Sequence, residues 1–363
     1  MKKARSKPKT SSRKREHVLL TVHRDVEFKK KRTGFELWDF VHNALPEINF
    51  SDITTDTIFL SKPLSMPFMI SCMTGGYEDA KRINQNLAEV CEEHCIAMGI
   101  GSQRQALENT SYHSSFSIAR KVAPSIPIVG NIGAAEVAKL KDPSPVQRLA
   151  ELAEADAFAV HLNPLQELLQ PEGNPNFKSV LRGIELLARN LSIPVIVKEI
   201  GAGISKEVAQ RLINVGVLII DVAGAGGTSW AGVEILRRKE GSSGSLLTEQ
   251  FWDWGIPTAE ALGQVVSLKS SVPALTVIAS GGINNGVDAA KAIALGADLT
   301  ASARPMLKEL FAGGKKALSL RLVQWVREFK GIMFLVGAET LGDLRRVPMT
   351  KRASFQQENR DFE

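Results

Sequence analysis

Cysteines, histidines and long apolar runs are scarce in this chain of 363 residues. No stretch approaches the roughly 18 consecutive apolar residues of a membrane span. The N-terminus also lacks the apolar segment of a secretory signal peptide. The three cysteines, Cys72, Cys91 and Cys95, have no zinc-binding spacing with a histidine, and we expect them to be reduced thiols. These absences predict a cytoplasmic protein with no membrane contact and no disulfide framework.

Acidic residues are nearly absent from the N-terminus. Residues 1–32 contain 13 Lys/Arg against 3 Asp/Glu, a net charge of +10, whereas the rest of the chain has 32 against 36, a net charge of −4. The overall charge of +6 therefore comes from this arm. Three interpretations stay open: a solvated arm that aids solubility, an arm that binds nucleic acid or an anionic surface, and an arm that folds over an anionic ligand.

From residue 66 onward, short apolar segments rich in Val and Ile alternate with amphipathic stretches. The apolar residues of the amphipathic stretches recur every three or four positions, which is typical of helices that pack one face on a sheet. The apolar segments are continuous rather than alternating, which favours strands buried on both faces of a parallel sheet. The eight predicted strands are 66–73, 98–102, 126–132, 157–163, 194–200, 216–224, 274–282 and 297–303.

Eight strand–helix units in succession predict an α/β fold, a TIM (β/α)₈ barrel with an N-terminal basic arm. The rival architecture is a doubly wound open sheet, which is disfavoured because no GxGxxG motif follows the first strand. We predict a disordered basic extension over residues 1–12, an arm over 13–60 that contributes to the substrate site, and the barrel over 61–363.

Three segments lie outside the repeating units. FELWDFVHNALP (35–46) is predicted to form a helix of the arm. The stretch 231–256 is longer than an ordinary βα loop, so we expect either a lid or binding element or a disordered loop. KGIMFLVG (330–337) predicts a helix that closes the outer ring of the barrel.

Polar residues cluster at the carboxyl ends of the predicted strands, where the active site of a TIM barrel lies. After the fourth strand, the apolar run AFAV is followed within seven residues by His161, Asn163, Gln166 and Glu167. His161 and Asn163 are two residues apart on a strand, so both project toward the barrel mouth. A core histidine with a satisfied hydrogen bond is the alternative for His161, and its three polar neighbours disfavour it.

Two further features predict bound anions or a charged ring. Gly281 and Gly282 follow the seventh strand and precede a helix near Asn285, where backbone N–H groups and the helix dipole favour phosphate. Lys198 lies in the apolar strand VIVKEI, so its ammonium group requires a partner. This lysine could form a Schiff base, hold a phosphate or stabilise negative charge on a ring. Glycines needed only for a tight turn, and a lysine that reaches solvent from the strand end, are the structural alternatives.

Nine motifs in unbroken order resemble those of the type 2 isopentenyl diphosphate isomerases, from about residue 13 to the C-terminus. HLNPLQE together with GGTSW is far more specific than any glycine motif alone. The resemblance implies an FMN-containing TIM barrel that interconverts isopentenyl diphosphate and dimethylallyl diphosphate and needs Mg²⁺ and reduced flavin. The motifs are RKREH (13–17), MTGG (73–76), GSQR (101–104), GNIG (130–133), HLNPLQE (161–167), VKEIGAGIS (197–205), DVAGAGGTSW (221–230), SGGINNGVDAAKAIALGA (280–297) and GIMFLVG (331–337).

The same resemblance implies roles for individual residues. Neutral hydrogen-bond donors and one lysine along the rim of the barrel would also suit the edge of a flavin ring. The residues implied to hold the FMN ring and ribityl chain are Met73, Thr74, Gly75, Ser102, Asn131, Lys198 and Thr228. Those implied near the FMN phosphate are Gly281, Gly282, Asn284, Ala303 and Arg304. Those implied to bind the substrate are Arg13, Lys14, Ser102, Gln103, Arg104, His161, Asn163 and Gln166.

Moving a double bond requires one proton to be delivered and another to be removed, in a site that excludes water. By resemblance, the catalytic residues are Gln166, His161 and Lys198. Lys198 would stabilise the anionic reduced flavin, and Gln166 would lie closest to the proton transfer. Glu167 would bind Mg²⁺, for which one carboxylate with substrate phosphates and waters suffices. The resemblance further implies NADPH as the reductant and a homo-oligomer of four or more subunits.

One position departs from the family pattern. Asn284 stands where the pattern has a basic residue, and Arg304 is the candidate to compensate for the missing charge.

Two other classes of function have less support in the sequence. Hydroxy-acid oxidases need a His and an Arg close together after the sixth to seventh strands, but no histidine follows His161. IMP dehydrogenases need a nucleophilic cysteine in the loop after the sixth strand, but no cysteine follows Cys95. A nucleic-acid- or anion-binding protein would use the arm and contain no flavin. We therefore expect an enzyme with no nucleic-acid partner.

Overall fold

Eight parallel strands close into a barrel, as the strand pattern predicts. The computed structural model describes residues 9–238 and 249–352. Each barrel strand lies within one predicted strand or overlaps one, and the strands are joined in sequence order around the barrel. The strands are β1 (Phe68–Ile70), β2 (Ala97–Gly99), β3 (Ile128–Gly133), β4 (Ala157–His161), β5 (Val195–Lys198), β6 (Ile219–Asp221), β7 (Thr276–Ala279) and β8 (Leu299–Ser302).

The register of the strands brings polar residues to one level at the C-terminal rim. His161 is aligned with Lys198 across β4 and β5, and Lys198 is aligned with Asp221 across β5 and β6. Gly133 of β3 stands at the same level as His161. Residues far apart in the sequence therefore face one space above the barrel.

Helices surround the barrel because their apolar faces match the outer surface of the sheet. In the helix Lys206–Asn214, for example, Ala209 and Leu212 are buried, and the Ser205 hydroxyl oxygen accepts a hydrogen bond from Val208 N at 3.3 Å. The helices are α1 (Lys9–His23), α2 (Ala80–Glu93), α3 (Arg104–Glu108), α4 (Ser114–Val122), α5 (Ala134–Val137), α6 (Ser144–Ala153), α7 (Pro164–Leu169), α8 (Val180–Asn190), α9 (Lys206–Asn214), α10 (Trp230–Arg237), α11 (Thr258–Val266), α12 (Gly286–Ala294), α13 (Arg304–Val336) and α14 (Leu341–Leu344).

The buried apolar residues form two clusters. The larger lies between the strands and the surrounding helices. The smaller fills the barrel interior with residues such as Val129, Ile196 and Ile278. Phe59 and Leu64, from the antiparallel pair Thr57–Phe59 and Lys62–Leu64, join this inner cluster. The barrel is therefore a packed core whose usable space lies above the strand ends.

The helix predicted over residues 35–46 is wrong. Phe35–Leu37 form one 3₁₀ turn, and Trp38–Phe40 form a strand that pairs with Met349–Lys351. The spacing of Phe35 and Trp38 resembles a helix, but the partner strand is about 310 residues away in the sequence. Pairing with this distant strand overrides the local pattern.

The two ends of the chain contribute long helices. α1 begins at Lys9, inside the predicted extension of residues 1–12; residues 1–8 lie outside the described part of the chain. α13 contains the predicted C-terminal helix and is kinked at Gly313 and Gly314, whose φ values are −146° and 68°. Of the long predicted loop, residues 239–248 lie outside the described part. Within the described residues, none of the helices is sufficiently long and apolar to span a membrane.

Candidate active site

A cavity of about 470 Å³ opens at the carboxyl ends of the strands. Its volume is in the range of small-molecule sites. Every predicted site residue lines this cavity except Gln103. The predicted residues on its wall are Arg13, Lys14, Met73, Thr74, Gly75, Ser102, Arg104, Asn131, His161, Asn163, Gln166, Glu167, Lys198, Thr228, Gly281, Gly282, Asn284, Ala303 and Arg304.

The side chains of Gln103 and Thr74 form hydrogen bonds with other groups of the protein. The Gln103 amide donates to Leu149 O at 2.8 Å and accepts from Asn131 N at 3.1 Å, so it is consumed within the barrel wall. Gln103 is fully buried and does not face the cavity, which disagrees with its predicted place in the substrate site. The Thr74 hydroxyl donates to Asn84 Oδ1, so this side chain is also bound within the barrel wall.

Lys198 is fixed at the floor of the cavity. Its ammonium group donates to Glu199 O at 2.6 Å and lies 3.3 Å from Asp221 Oδ2. Asp221 is itself held by the Ser280 hydroxyl, which donates to Oδ1 at 2.6 Å. The lysine is 92% buried at its side chain, so its charge is compensated by a buried carboxylate rather than by water.

His161 is a neutral hydrogen-bonding group. Its Nδ1 lies 2.7 Å from Asn131 Oδ1, and because that oxygen only accepts, Nδ1 carries the proton. Burial, followed by the charges of Lys198 and Lys14, lowers the pKa of His161 to about 3. The imidazole therefore stays uncharged at physiological pH, with Nε2 left as an acceptor.

The residues after β4 form a connected network on one wall. Asn163 Nδ2 donates to Gln166 Oε1 and to Glu167 Oε1, both at 3.1 Å. Gln166 Nε2 in turn donates to Glu234 Oε1 at 2.9 Å. Asn163 Oδ1 is buried and has no hydrogen-bond partner among the described residues. A buried unpaired oxygen beside a carboxylate is the donor set that a hard divalent cation prefers.

Glu234 joins this wall to helix α1. It is completely buried, with His17 Nε2 2.9 Å from Oε1 and Arg237 Nη1 2.6 Å from Oε2. Burial alone would raise the pKa of the Glu234 carboxyl, but the hydrogen bond and charge of His17, with Arg237 beside it, hold the pKa below its ordinary value. Arg237 also lies 3.1 Å from Glu16 of α1.

The opposite end of the cavity is cationic. Lys14 Nζ donates to Ser102 O at 2.5 Å, and Arg13 and Arg104 lie beside it. Burial and the Arg13 charge lower the pKa of Lys14 to about 7, and burial with the Arg104 charge lowers the pKa of Arg13. Arg104 pairs with Glu108 at 3.1 Å and with Glu136 at 3.2 Å, whereas Arg13 Nε is buried with no hydrogen-bond partner among the described residues, so this end of the cavity can accept an anion.

Glycine backbone forms the corner next to β7. Gly281 and Gly282 have φ values of 97° and 77°, which only glycine adopts readily. A Cβ added at Gly281 would lie 2.1 Å from Gly224 O, so the two loops touch main chain to main chain. The N-terminus of α13, at Ala303 and Arg304, faces the same corner. Main-chain N–H groups and a helix N-terminus together fit a phosphate group.

A metal cluster made only of protein ligands is missing from residues 9–238 and 249–352. No three Asp, Glu, His or Cys side chains gather there as metal ligands would. Asn163 Oδ1 is unpaired on the cavity wall, beside the Glu167 carboxylate, which accepts hydrogen bonds from Asn163, Gln170 and Asn174 N. A cation bound here would take its remaining ligands from the substrate and water, as Mg²⁺ commonly does.

Comparisons with known proteins cover the same barrel and the arm. A family model described as FMN-dependent dehydrogenase matches residues 141–351. The isopentenyl-diphosphate delta-isomerase of Pelodictyon phaeoclathratiforme is 47% identical over 345 residues, 93% of this chain and 96% of that protein. The protein of the same name from Chlorobaculum parvum is 47% identical over 94% of this chain and 98% of its own length. The chain belongs to the isopentenyl-diphosphate delta-isomerase family.

Solved structures similar to this member of the isomerase family include mandelate oxidases. Mandelate oxidase with (S)-2-phenylpropionate has a TM-score of 0.64 and 19% identity, covering 93% of this chain and 95% of that chain. Mandelate oxidase with benzoyl-formic acid has a TM-score of 0.61 and 20% identity, covering 93% and 91%. At such identity the likeness confirms the barrel fold and carries no statement about the reaction.

Two residues of this isomerase-family site were not predicted from the sequence. Glu234 is a single acid in the apolar segment WAGVEIL, and a lone carboxylate on a buried helical face is a signal that could have identified it. His17 lies in the recognised motif RKREH but received no role; its ring meets the Trp230 ring edge-on at 5.4 Å between centroids. Their contact depends on the packing of α1 against α10, two helices that are far apart in the sequence.

Proposed function

We propose that the protein interconverts isopentenyl diphosphate and dimethylallyl diphosphate, with reduced FMN and Mg²⁺ as cofactors and NADPH as the reductant. The observation that carries the proposal is the division of one cavity into two chemically different ends. Strand ends and glycine backbone form a nearly neutral end, and Arg13, Lys14 and Arg104 form a cationic end. The first suits a flavin and the second suits a diphosphate.

The nearly neutral end would hold FMN. Asn131, Lys198 and Thr228 would face the ring, and the backbone of Gly281 and Gly282 would face its phosphate. Reduced FMN, when bound, supplies an electron-rich ring face and a proton at N5. Lys198 is held by Glu199 O and Asp221, so its charge is already fixed where an anionic ring would need it.

The cationic end would hold the substrate diphosphate. Arg13 and Lys14 project from α1 and Arg104 from α3, so the phosphates would be bound from two sides. Glu167 and Asn163 Oδ1 would complete a Mg²⁺ site with the phosphate oxygens. The chain would then place the hydrocarbon of the substrate between the metal wall and the flavin end.

His161 and Gln166 would position the reacting carbons. The neutral imidazole accepts or donates hydrogen bonds without adding a cation next to a developing positive charge. Gln166 has its oxygen bound by Asn163 and its nitrogen bound to Glu234, so the amide cannot rotate freely. Glu234 is the ionisable group that this chain of bonds reaches from the cavity.

The alternative is an FMN-dependent oxidoreductase on the same barrel. Hydride removal from a hydroxy acid needs a histidine base near an arginine, and no histidine follows His161 in the sequence. His161 itself is held neutral against Asn131. A cytoplasmic location and a homo-oligomeric assembly stay predictions.

The test is an anaerobic incubation of the purified protein with isopentenyl diphosphate, FMN, Mg²⁺ and NADPH. We expect dimethylallyl diphosphate to accumulate, and we expect no product without the reductant or with Mg²⁺ chelated. The proposed reaction is contradicted if the protein binds flavin and NADPH reduces that flavin, but no allylic diphosphate forms under any of these conditions. Consumption of a hydroxy acid by the same sample would support the oxidoreductase.

A further inference from the structure

Arg304 is predicted to lie near the cofactor phosphate, but its side chain forms hydrogen bonds elsewhere. It follows β8 at the start of α13, where its backbone faces the glycine corner. Its guanidinium group points instead to the arm. Nε donates to Thr21 O at 2.7 Å, Nη2 donates to Arg24 O at 3.0 Å, and Nη1 donates to Glu27 Oε1 at 2.6 Å. Each of its three nitrogens therefore already has an acceptor.

We propose that Arg304 is a positioning residue that anchors helix α1 and thereby holds Arg13 and Lys14 over the substrate end of the cavity, rather than binding the cofactor phosphate. The proposal rests on the function proposed above for the substrate end. It deepens that function by naming the residue that sets the position of the arm.

The carbonyl groups that Arg304 binds are those left unpaired at the end of a helix. α1 ends at His23, and Thr21 and Arg24 lie at its C-terminal end. The last carbonyls of a helix lack intrahelical partners, and a cation there also interacts favourably with the helix dipole. The Arg304 side chain is only 11% exposed, so these bonds form largely away from water. The contact is therefore a strong C-terminal cap supplied from 283 residues away.

A fixed end of α1 determines where its other end lies. Arg13 and Thr21 are eight residues apart on one helix, a distance of about 12 Å along the axis. The helix has further contacts, because Val18 and Val22 are buried and His17 meets Glu234. Arg304 holds the end farthest from the diphosphate cations, so its loss would let the helix tilt. The expected consequence is weaker substrate binding with an intact cofactor site.

Glu27 provides an independent way to loosen the same contact. Its carboxylate lies on the arm, receives Arg304 Nη1, and is 61% exposed at its side chain. Glu27→Gln weakens the arm side of the contact and leaves the arginine in place. If Arg304 acts through the arm, the two variants disturb one interaction and their effects do not add. If Arg304 instead binds the cofactor phosphate, the Glu27→Gln variant should bind FMN as tightly as the wild type.

The experiment compares Arg304→Gln, Glu27→Gln, the double variant and Arg211→Gln as a control at an exposed arginine of α9. We measure KM for isopentenyl diphosphate, kcat, and the FMN dissociation constant. Loss of charged hydrogen bonds predicts that Arg304→Gln raises KM about 10-fold with less than about a 2-fold change in FMN affinity. Glu27→Gln should raise KM less, the double variant should match Arg304→Gln, and Arg304→Lys should be intermediate.

A second readout does not depend on the reaction. Trypsin cleaves after Arg13, Lys14 and Arg15, and we expect faster cleavage there in FMN-loaded Arg304→Gln than in the FMN-loaded wild type. If the wild type forms no dimethylallyl diphosphate, the proposed function fails while the cleavage rates still decide the role of Arg304. An FMN affinity that falls 10-fold or more with unchanged KM and cleavage, or additive effects of the two substitutions, would overturn the proposal.

Discussion

At one end of the cavity the wall consists of strand ends and glycine backbone, whereas at the other it consists of charged side chains carried partly by helix α1. Lys198 and Asp221 are held by the barrel register itself. Arg13 and Lys14 stand on a helix that is anchored to the barrel by side-chain contacts such as His17 with Glu234. The proposed cofactor end is therefore preformed by the fold, and the proposed substrate end depends on docking of the arm.

This difference makes the two ends separable by experiment. Substitutions at the cofactor end should change FMN affinity, and substitutions at the substrate end should change KM for the diphosphate. Glu234 joins two parts of the proposed substrate end, because its carboxylate contacts Gln166 on the wall after β4 and His17 on the arm.

The largest effect is expected for Lys198→Ala at the cofactor end. The substitution removes a buried cation and leaves the fully buried Asp221 carboxylate without an opposite charge. We expect FMN affinity to fall about 100-fold, since charged hydrogen bonds contribute about 1.5–3 kcal/mol each. A fluorescence titration of the apoprotein with FMN measures this, and Lys206→Ala on the exposed surface of α9 is the matched control. Equal FMN affinity in Lys198→Ala and wild type would contradict the cofactor assignment.

Arg13→Gln should produce the next largest effect, now at the substrate end. The guanidinium group lines the cavity and its Nε is buried with no partner among the described residues. We expect KM for isopentenyl diphosphate to rise about 50-fold, with FMN affinity unchanged, because a charge-assisted phosphate contact is lost. Arg15→Gln is the control, since Arg15 lies on the same helix but is 61% exposed at its side chain. Similar KM values for both variants would show that the effect is only a loss of net charge.

Glu167→Gln should affect the metal alone. Glu167 lines the cavity and its carboxylate accepts a hydrogen bond from Asn163 Nδ2, and we expect the Mg²⁺ concentration for half-maximal rate to rise about 20-fold with flavin still bound. The measurement is activity against free Mg²⁺, and Glu185→Gln on α8 removes an equal charge far from the cavity. An unchanged Mg²⁺ requirement would mean that the metal binds elsewhere.

The cofactor end was predictable from sequence because it is built from the strands and the residues that directly follow them. Apolar periodicity is local, so all eight strands and the polar residues at their ends could be placed in order. The arm was less predictable because long-range contacts decide it. The 35–46 segment pairs with residues 349–351, and Arg304 bonds to Thr21 across 283 positions. No local pattern reports such partners, and the Gln103 side chain was likewise assigned to the cavity although it binds Leu149 O.

The smallest expected effect concerns pH and arises only at the substrate end. Lys14 has a pKa of about 7, so its ammonium form is lost as the pH rises through this value in the free enzyme. Diphosphate binding favours the charged form, so kcat/KM should fall about 5-fold between pH 7 and pH 8 from this group. Lys14→Arg stays protonated and should remove this fall. His161, with a pKa of about 3, is neutral throughout and should contribute no titration in this range. A wild-type and a Lys14→Arg profile of the same shape would show that Lys14 keeps its proton, and that the substrate end tolerates three cations without its ligand.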